Sequence, residues 1–293
     1  MKNEKIKNIM LYCNCCMYSI IYSMWGGADS PDSSKLTIDA DGTYENTQPY
    51  ATQGEDGWEL NACGGYAMAY YFAEKGRIPA NKVQDTAHKF YDKVKFDSEK
   101  IEALLALLND QGEDDENASL SADSENDNRF VSFSDPVKTK DVMAEYVFNS
   151  ELRMTTDAKD ATDAQALLFM LALFIVPEEE QDNVVKIENL VENLEDNEYV
   201  IEIAVSNSPA SDDGIITVNM ENPFNNNFHY LLTYWKTVNG KKELWTLDSY
   251  QGEEKPRSYF DNTNEQSRTD HPNDTYLFCD GGIFITPYNT VIQ

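Results

Sequence analysis

The apolar positions divide the chain into a helical first part and a strand-rich second part. Over residues 61–75, Cys63, Tyr66, Ala67, Tyr70 and Tyr71 recur at the spacing of one helix face, and Gly76 follows as a stop. Further helices are expected over 80–93 and 98–108. A helix-rich section is expected over 138–176, in which 164–176 is apolar nearly all round and therefore reads as buried. That run is too short to cross a bilayer. Beyond Asp182 the period changes. Residues 184–194 pattern as an amphipathic helix, whereas 199–205, 228–235 and 243–247 read as strands. Asn239-Gly240, between the last two, is the strongest short hairpin signal, and 276–285 offers a final strand. Helices first and antiparallel strands afterwards make this an α+β chain.

Composition narrows the function. At 293 residues, with 41% hydrophobic residues and 17 tyrosines, the chain can bury one substantial core, and a single enlarged domain fits it. A formal net charge of −29 argues against nucleic-acid partners and against adsorption to anionic membranes. Part of that charge lies in an acidic tract at 109–128, which includes Glu113-Asp114-Asp115-Glu116 and reads as a surface loop. Residues 1–28 read as an export signal: Lys2, Lys5 and Lys7, then an apolar stretch, then Gly26-Gly27-Ala28. A retained or lipidated anchor is the alternative, although Tyr12 before Cys13 is bulky for lipid processing. Residues 29–48 read as a linker or short pro-segment. The expected location is secreted or cell-surface, with no membrane partner once the signal is removed. Removal would leave two thiols, Cys63 and Cys279, and a disulfide between them is one reading.

The other reading makes Cys63 a nucleophile. A helix start favours a thiolate, because its unpaired N–H groups and macrodipole stabilise negative charge, and Asn61 is a suitable N-cap. Gly64 and Gly65 would leave room for a substrate carbonyl to approach. A base must come from three histidines. Surface placement accounts for His88, in a polar helix, and for His271, before Pro272. His229 stands where Asn225-Asn226-Asn227 enters an apolar strand. If Asn239-Gly240 forms a two-residue turn, Val238 faces Lys241. Counting back then sets His229 opposite Tyr250, with Asp248 as its diagonal neighbour on the same face. Such diagonals lie about 7–8 Å apart at Cβ, within reach of a His–Asp hydrogen bond. Asp248 would hold the imidazole, and Gln53 is the best upstream side chain to donate to an oxyanion. The histidines and cysteines lack ligand spacing, so neither a metal nor an organic cofactor is implied.

These residues resemble a known family. Gln53-Gly54-Glu55-Asp56-Gly57-Trp58 followed by Cys63-Gly64-Gly65-Tyr66-Ala67-Met68 is similar to the active-site region of the staphopains, secreted papain-like peptidases of bacteria. Gln48-Pro49-Tyr50-Ala51-Thr52-Gln53 resembles the opening of bacterial peptidases related to double-glycine leader processing. Phe228-His229-Tyr230-Leu231-Leu232 through Trp245-Thr246-Leu247-Asp248 is similar to their histidine strand, hairpin and third-residue strand. The resemblance covers about 49–75 and 184–252. It implies a papain-like cysteine peptidase domain over 49–293, in which an N-terminal helical half carrying the cysteine packs on a C-terminal antiparallel sheet carrying His and Asp. It also implies roles for Cys63 as nucleophile, His229 as base, Asp248 as third member and Gln53 as oxyanion donor, with a protein or peptide as substrate. Gln53 stands further from Cys63 than the family spacing. Asp replaces the usual Asn, as it does in leader-processing and immunoglobulin-cleaving relatives. The section 138–176 has no counterpart in the family and reads as an insertion. The same triad serves deamidases, transglutaminases and isopeptidases, and a surface interaction protein could keep the fold without activity.

Overall fold

The computed structural model describes residues 36–53, 62–95, 134–155, 191–206, 214–218 and 226–288. These form an α+β structure in which helices pack on a six-stranded sheet whose paired strands are all antiparallel. The helices are α1 (Cys63–Glu74), α2 (Val83–Val94, entered by a 3-10 turn at Ala80–Lys82) and α3 (Pro136–Tyr146). The strands are β1 (Ser150–Thr155), β2 (Tyr199–Ser206), β3 (Asn227–Val238), β4 (Lys241–Leu247), β5 (Glu254–Pro256) and β6 (Leu277–Pro287), in the order β1-β6-β2-β3-β4-β5. Two short helices, α4 (Arg257–Phe260) and α5 (Glu265–Asp270), lie between β5 and β6.

The one-face helix expected around Cys63 is instead buried on every side: each residue of α1 from Cys63 to Ala73 is buried. Its tyrosines and Phe72 share one core with Ile201, Ile203, Tyr230, Leu232, Ile283 and Ile285 of the sheet. The opposite side meets α2 at backbone distance. A Cβ on Gly65 would lie 2.3 Å from the Ala87 carbonyl oxygen and 2.9 Å from the Tyr91 nitrogen, so only glycine allows that crossing. α2 itself is amphipathic and buries Val83, Ala87, Phe90, Tyr91 and Val94. α3 starts where Asp135 accepts hydrogen bonds from Val137 and Lys138 N–H, at 2.8 and 3.2 Å, with Pro136 in the first turn.

The helical section expected at 138–176 is borne out over 138–146 and corrected at 150–155. α3 ends at Tyr146, Asn149 takes a left-handed φ of 55°, and the chain re-enters the sheet as edge strand β1 beside β6. The expected helix at 98–108, the acidic tract at 109–128 and the apolar run at 164–176 lie outside the described residues. Of the helix expected at 184–194, only the 3-10 turn Val191–Asn193 is described. Residues 36–48 lie against the helices. Leu36 is buried, and Asn46 bonds the carbonyls of Ala73 and Ile78 at 2.9 and 2.8 Å and the N–H of Ala80 at 2.8 Å. Among the described residues no helix is long and apolar enough to cross a membrane.

The hairpin forms as its turn residues dictate. Asn239 and Gly240 both have positive φ, 53° and 78°, and Val238 pairs with Lys241 in an unbroken ladder to Leu232 and Leu247. The elements from β5 to α5 were not foreseen, being too short to show a period. A buried charge network anchors them: Arg257 grips Glu202 at 2.6 and 3.1 Å and Asp280 at 2.7 Å, and Thr233 donates to Glu202 at 3.0 Å. Gly65→Ala is expected to destabilise the protein by about 1–3 kcal/mol despite the better helix propensity of alanine, read as a lower denaturation midpoint in urea. An unchanged or raised midpoint would mean that the α1–α2 contact gives way easily.

Candidate active site

Cys63, His229 and Asp248 stand at or near the ends of elements, and Gln53 ends the described segment 36–53. Cys63 is the first residue of α1, where backbone N–H groups lack helical partners. Ala62 occupies the cap position with no side-chain cap bond, and the expected cap, Asn61, lies outside the described residues. Cys63 and Cys279 are both buried thiols, so the disulfide reading is overturned. Cys279 lies on β6, where burial, followed by the charges of Glu202 and Asp280, pushes its thiol well up and makes it unreactive.

His229 is near the start of β3, and Asp248 follows the last residue of β4. The β3–β4 ladder stops at Leu232 and Leu247, so the two side chains meet just beyond it rather than as a diagonal pair within it. There the chain turns, with Gln251 and Gly252 N–H bonding back to the Asp248 carbonyl at 3.1 and 2.9 Å. His229 Nε2 lies 2.8 Å from Asp248 Oδ1, with both residues buried. The side chain of Cys63 also hydrogen-bonds the imidazole. With Nε2 on the carboxylate, Nδ1 is the ring nitrogen available to the sulfur. The ring therefore stands between a thiol from the helix layer and a carboxylate from the sheet.

Two tyrosines complete this arrangement. Tyr250 N–H donates to Asp248 Oδ1 at 3.0 Å, and its ring stacks on His229 at 4.8 Å. Tyr276 donates its hydroxyl to Asp248 Oδ2 at 2.7 Å, and its ring stacks on the same imidazole at 5.0 Å. Sequence reasoning gave neither a role. Tyr250 had a signal, since counting from the hairpin turn sets it opposite His229; Tyr276 opened the expected strand 276–285, but nothing in that pattern pointed it at Asp248. Tyr250 is 47% exposed, whereas Cys63 and His229 are 1% and 2% exposed, so the solvent-facing group of the set is Tyr250.

Gln53 reaches the same corner from residues 36–53. Its N–H bonds the Ser249 carbonyl at 2.8 Å, and Ser249 Oγ donates to its amide oxygen at 2.7 Å. In this arrangement the amide oxygen faces Ser249 and the NH2 group is the other end of the side chain. The segment leading to it is tied down along its length. Tyr70 and Tyr66 of α1 donate to the carbonyls of Ala51 and Thr52, and Tyr50 N–H bonds Gly252 at 2.8 Å. Gly64 was expected to leave space for a substrate; instead a Cβ there would meet Ser134 Oγ at 2.3 Å, so its smallness serves packing beside the thiol. His88 lies on α2, 3.5 Å from the Tyr66 hydroxyl, and the His271 ring lies against that of Tyr259, tilted by 31° with centroids 4.0 Å apart. Among the described residues no cluster of His, Cys, Asp and Glu is placed to hold a metal ion.

The electrostatics favour a charged ring. Burial works against protonated His229, but the Asp248 charge and hydrogen bond outweigh it, and Cys63 adds to them, so the imidazole is pushed up to about 10. An arrangement of this kind can activate sulfur and hold a proton ready for a leaving group. No family model matches the chain, and no curated protein or solved structure matches it significantly.

The raised histidine has a pH consequence. Protonated His229 contributes stability that is complete below its unfolded value of about 6.5. That contribution is lost as pH rises through about 10. A ring-proton NMR titration should show His229 protonated until near that pH. In Asp248→Asn the titration should move toward the ordinary histidine range. Deprotonation near neutrality in the unmodified protein would contradict the assigned geometry.

Proposed function

We propose that the protein is a papain-like cysteine peptidase, exported from a bacterial cell by residues 1–28, acting through Cys63, His229 and Asp248. The observation that carries the proposal is the His229 imidazole bonded through Nε2 to a buried Asp248 and on its other side to Cys63, the first residue of a buried helix. A helix layer supplying the sulfur and an antiparallel sheet supplying base and carboxylate agree with the papain-like arrangement.

In this reading the Cys63 thiolate attacks the carbonyl carbon of a peptide bond. Negative charge develops on the carbonyl oxygen, which the Cys63 backbone N–H and the Gln53 NH2 receive. The Ser249 bond to the Gln53 amide oxygen supports this role by restraining the side chain. Imidazolium His229 gives its Nδ1 proton to the departing amine, and the C–N bond breaks to leave a thioester on Cys63. Neutral His229 then takes a proton from water, the resulting hydroxide attacks the thioester, and the acid product and thiolate are released with the proton back on the ring. Asp248 keeps Nε2 engaged throughout, so Nδ1 carries the traffic.

Peptide mapping after brief treatment with a thiol-directed epoxide should find Cys63 modified at least tenfold faster than Cys279, and His229→Ala should abolish the difference. Casein cleavage should be lost in Cys63→Ala. Equal, slow labelling of both thiols, or full cleavage by Cys63→Ala, would overturn the proposal. Ammonia release from a glutamine peptide without chain cleavage would instead assign the centre to deamidation.

A further inference from the structure

Asp248 differs from the other members of the site in what it asks of its surroundings. A carboxylate in a residue only 1% exposed must find donors inside the protein. Oδ1 has two, His229 Nε2 and Tyr250 N–H, at 2.8 and 3.0 Å. Oδ2 is met by the Tyr276 hydroxyl at 2.7 Å. Tyr276 is itself fixed. Its N–H bonds the Phe260 carbonyl at 2.6 Å, its carbonyl accepts the Asn262 N–H at 2.9 Å, and it is buried against Phe260 in the cluster behind the sheet. The hydroxyl therefore holds one end of the carboxylate while the ring, 19° from parallel, limits the tilt of the imidazole.

Resting on the reading of this site as a Cys-His-Asp centre, we infer that Tyr276 is a positioning residue for both the carboxylate and the base. It does not touch substrate. It fixes the rotation of Asp248 about its side-chain bonds, so that Oδ1 stays on Nε2, and it supplies the donor that a charged third member requires. An amide at 248 could orient a ring with less help; an aspartate needs its charge shared. The ionisable groups facing this corner are Cys63 from α1, His229 from β3, Asp248 and Tyr250 from the turn after β4, and Asp274 with Tyr276 from the segment before β6. Tyr276 stays neutral through the working range, because burial and then Asp248 push its hydroxyl well above its ordinary value.

The test is Tyr276→Phe in the full chain, which keeps the ring and removes only the donor. The first readout is the downfield NMR resonance of the His229 Nε2 proton held by Asp248, which needs no substrate. It should be present in the unmodified protein and lost in Asp248→Asn. In Tyr276→Phe it should exchange with water roughly tenfold faster or more, the equivalent of one hydrogen bond to a charged group. The second readout is cleavage, where kcat should fall by a similar factor with KM unchanged. A double-variant cycle gives a third: in the Asp248→Asn background, Tyr276→Phe should change turnover by less than about twofold, since the charged acceptor is gone. A resonance of unmodified exchange rate in Tyr276→Phe, or an equal loss of turnover in both backgrounds, overturns the assignment. If the unmodified protein cleaves no peptide, the peptidase reading fails, and the resonance alone still decides what Tyr276 does.

Discussion

Asp248 carries a carboxylate into a part of the protein that water does not reach, and such a group persists only where donors surround it. Much of the described structure can be understood as the means of assembling those donors. The β3–β4 ladder has to keep one register from the turn to Leu232 and Leu247, so that His229 and Asp248, just beyond it, come together. The chain has to turn back at 248 so that the Tyr250 N–H points at the carboxylate. The strand order β6-β2-β3-β4 brings Tyr276, which lies two strands away from His229, to the same corner. Apart from the Tyr250 N–H, two residues from the carboxylate, these contacts are not local in sequence. The site is therefore a product of the sheet topology and not of any one motif.

The thiol reaches this corner by packing. α1 is buried on all sides, a costly arrangement for a helix unless its neighbours come very close, and glycine provides that closeness at two consecutive positions. Gly64 admits Ser134 and Gly65 admits the backbone of α2, so the first turn of the helix, with Cys63 at its tip, is clamped between α2, Ser134 and the sheet. The segment ending in Gln53 is laced to the same helix and to the 248–252 turn. Consecutive residues of that turn thus serve two ends: Asp248 orients the imidazole and Ser249 orients the glutamine amide. Rigid placement of this kind is what the proposed acyl transfer would require of its reacting groups.

The sequence revealed those parts of the fold whose signals are local and periodic. The α+β class, the strand at 199–206, the hairpin with its register and the helix at 83–94 all follow from period and turn chemistry. Counting from Asn239-Gly240 brought His229 and Asp248 near each other, although the ladder ends before His229 and the contact is made where the chain turns at Asp248. Other features were hidden for physical reasons. β1 was hidden because Glu151, Leu152, Arg153 and Met154 are all good helix formers, although Leu152 and Met154 alternate with polar neighbours, and its state is set by pairing with β6. Gly64 and Gly65 looked like room for a ligand, since a sequence shows small residues but not what fills the space beside them. Tyr276 and Ser249 act through contacts across long loops, to which no spacing rule applies.

The central claim is that a helix-tip sulfur and an imidazole pinned to a buried carboxylate form one nucleophilic centre. Rapid mixing with a chromogenic acyl ester tests it most directly, because acylation releases the chromophore before deacylation limits the rate. The account predicts a burst of one equivalent per protein molecule, an acyl group mapped by mass spectrometry to Cys63, and loss of the burst in His229→Ala. Release without a burst, or acyl groups scattered over lysines and other cysteines, would contradict it.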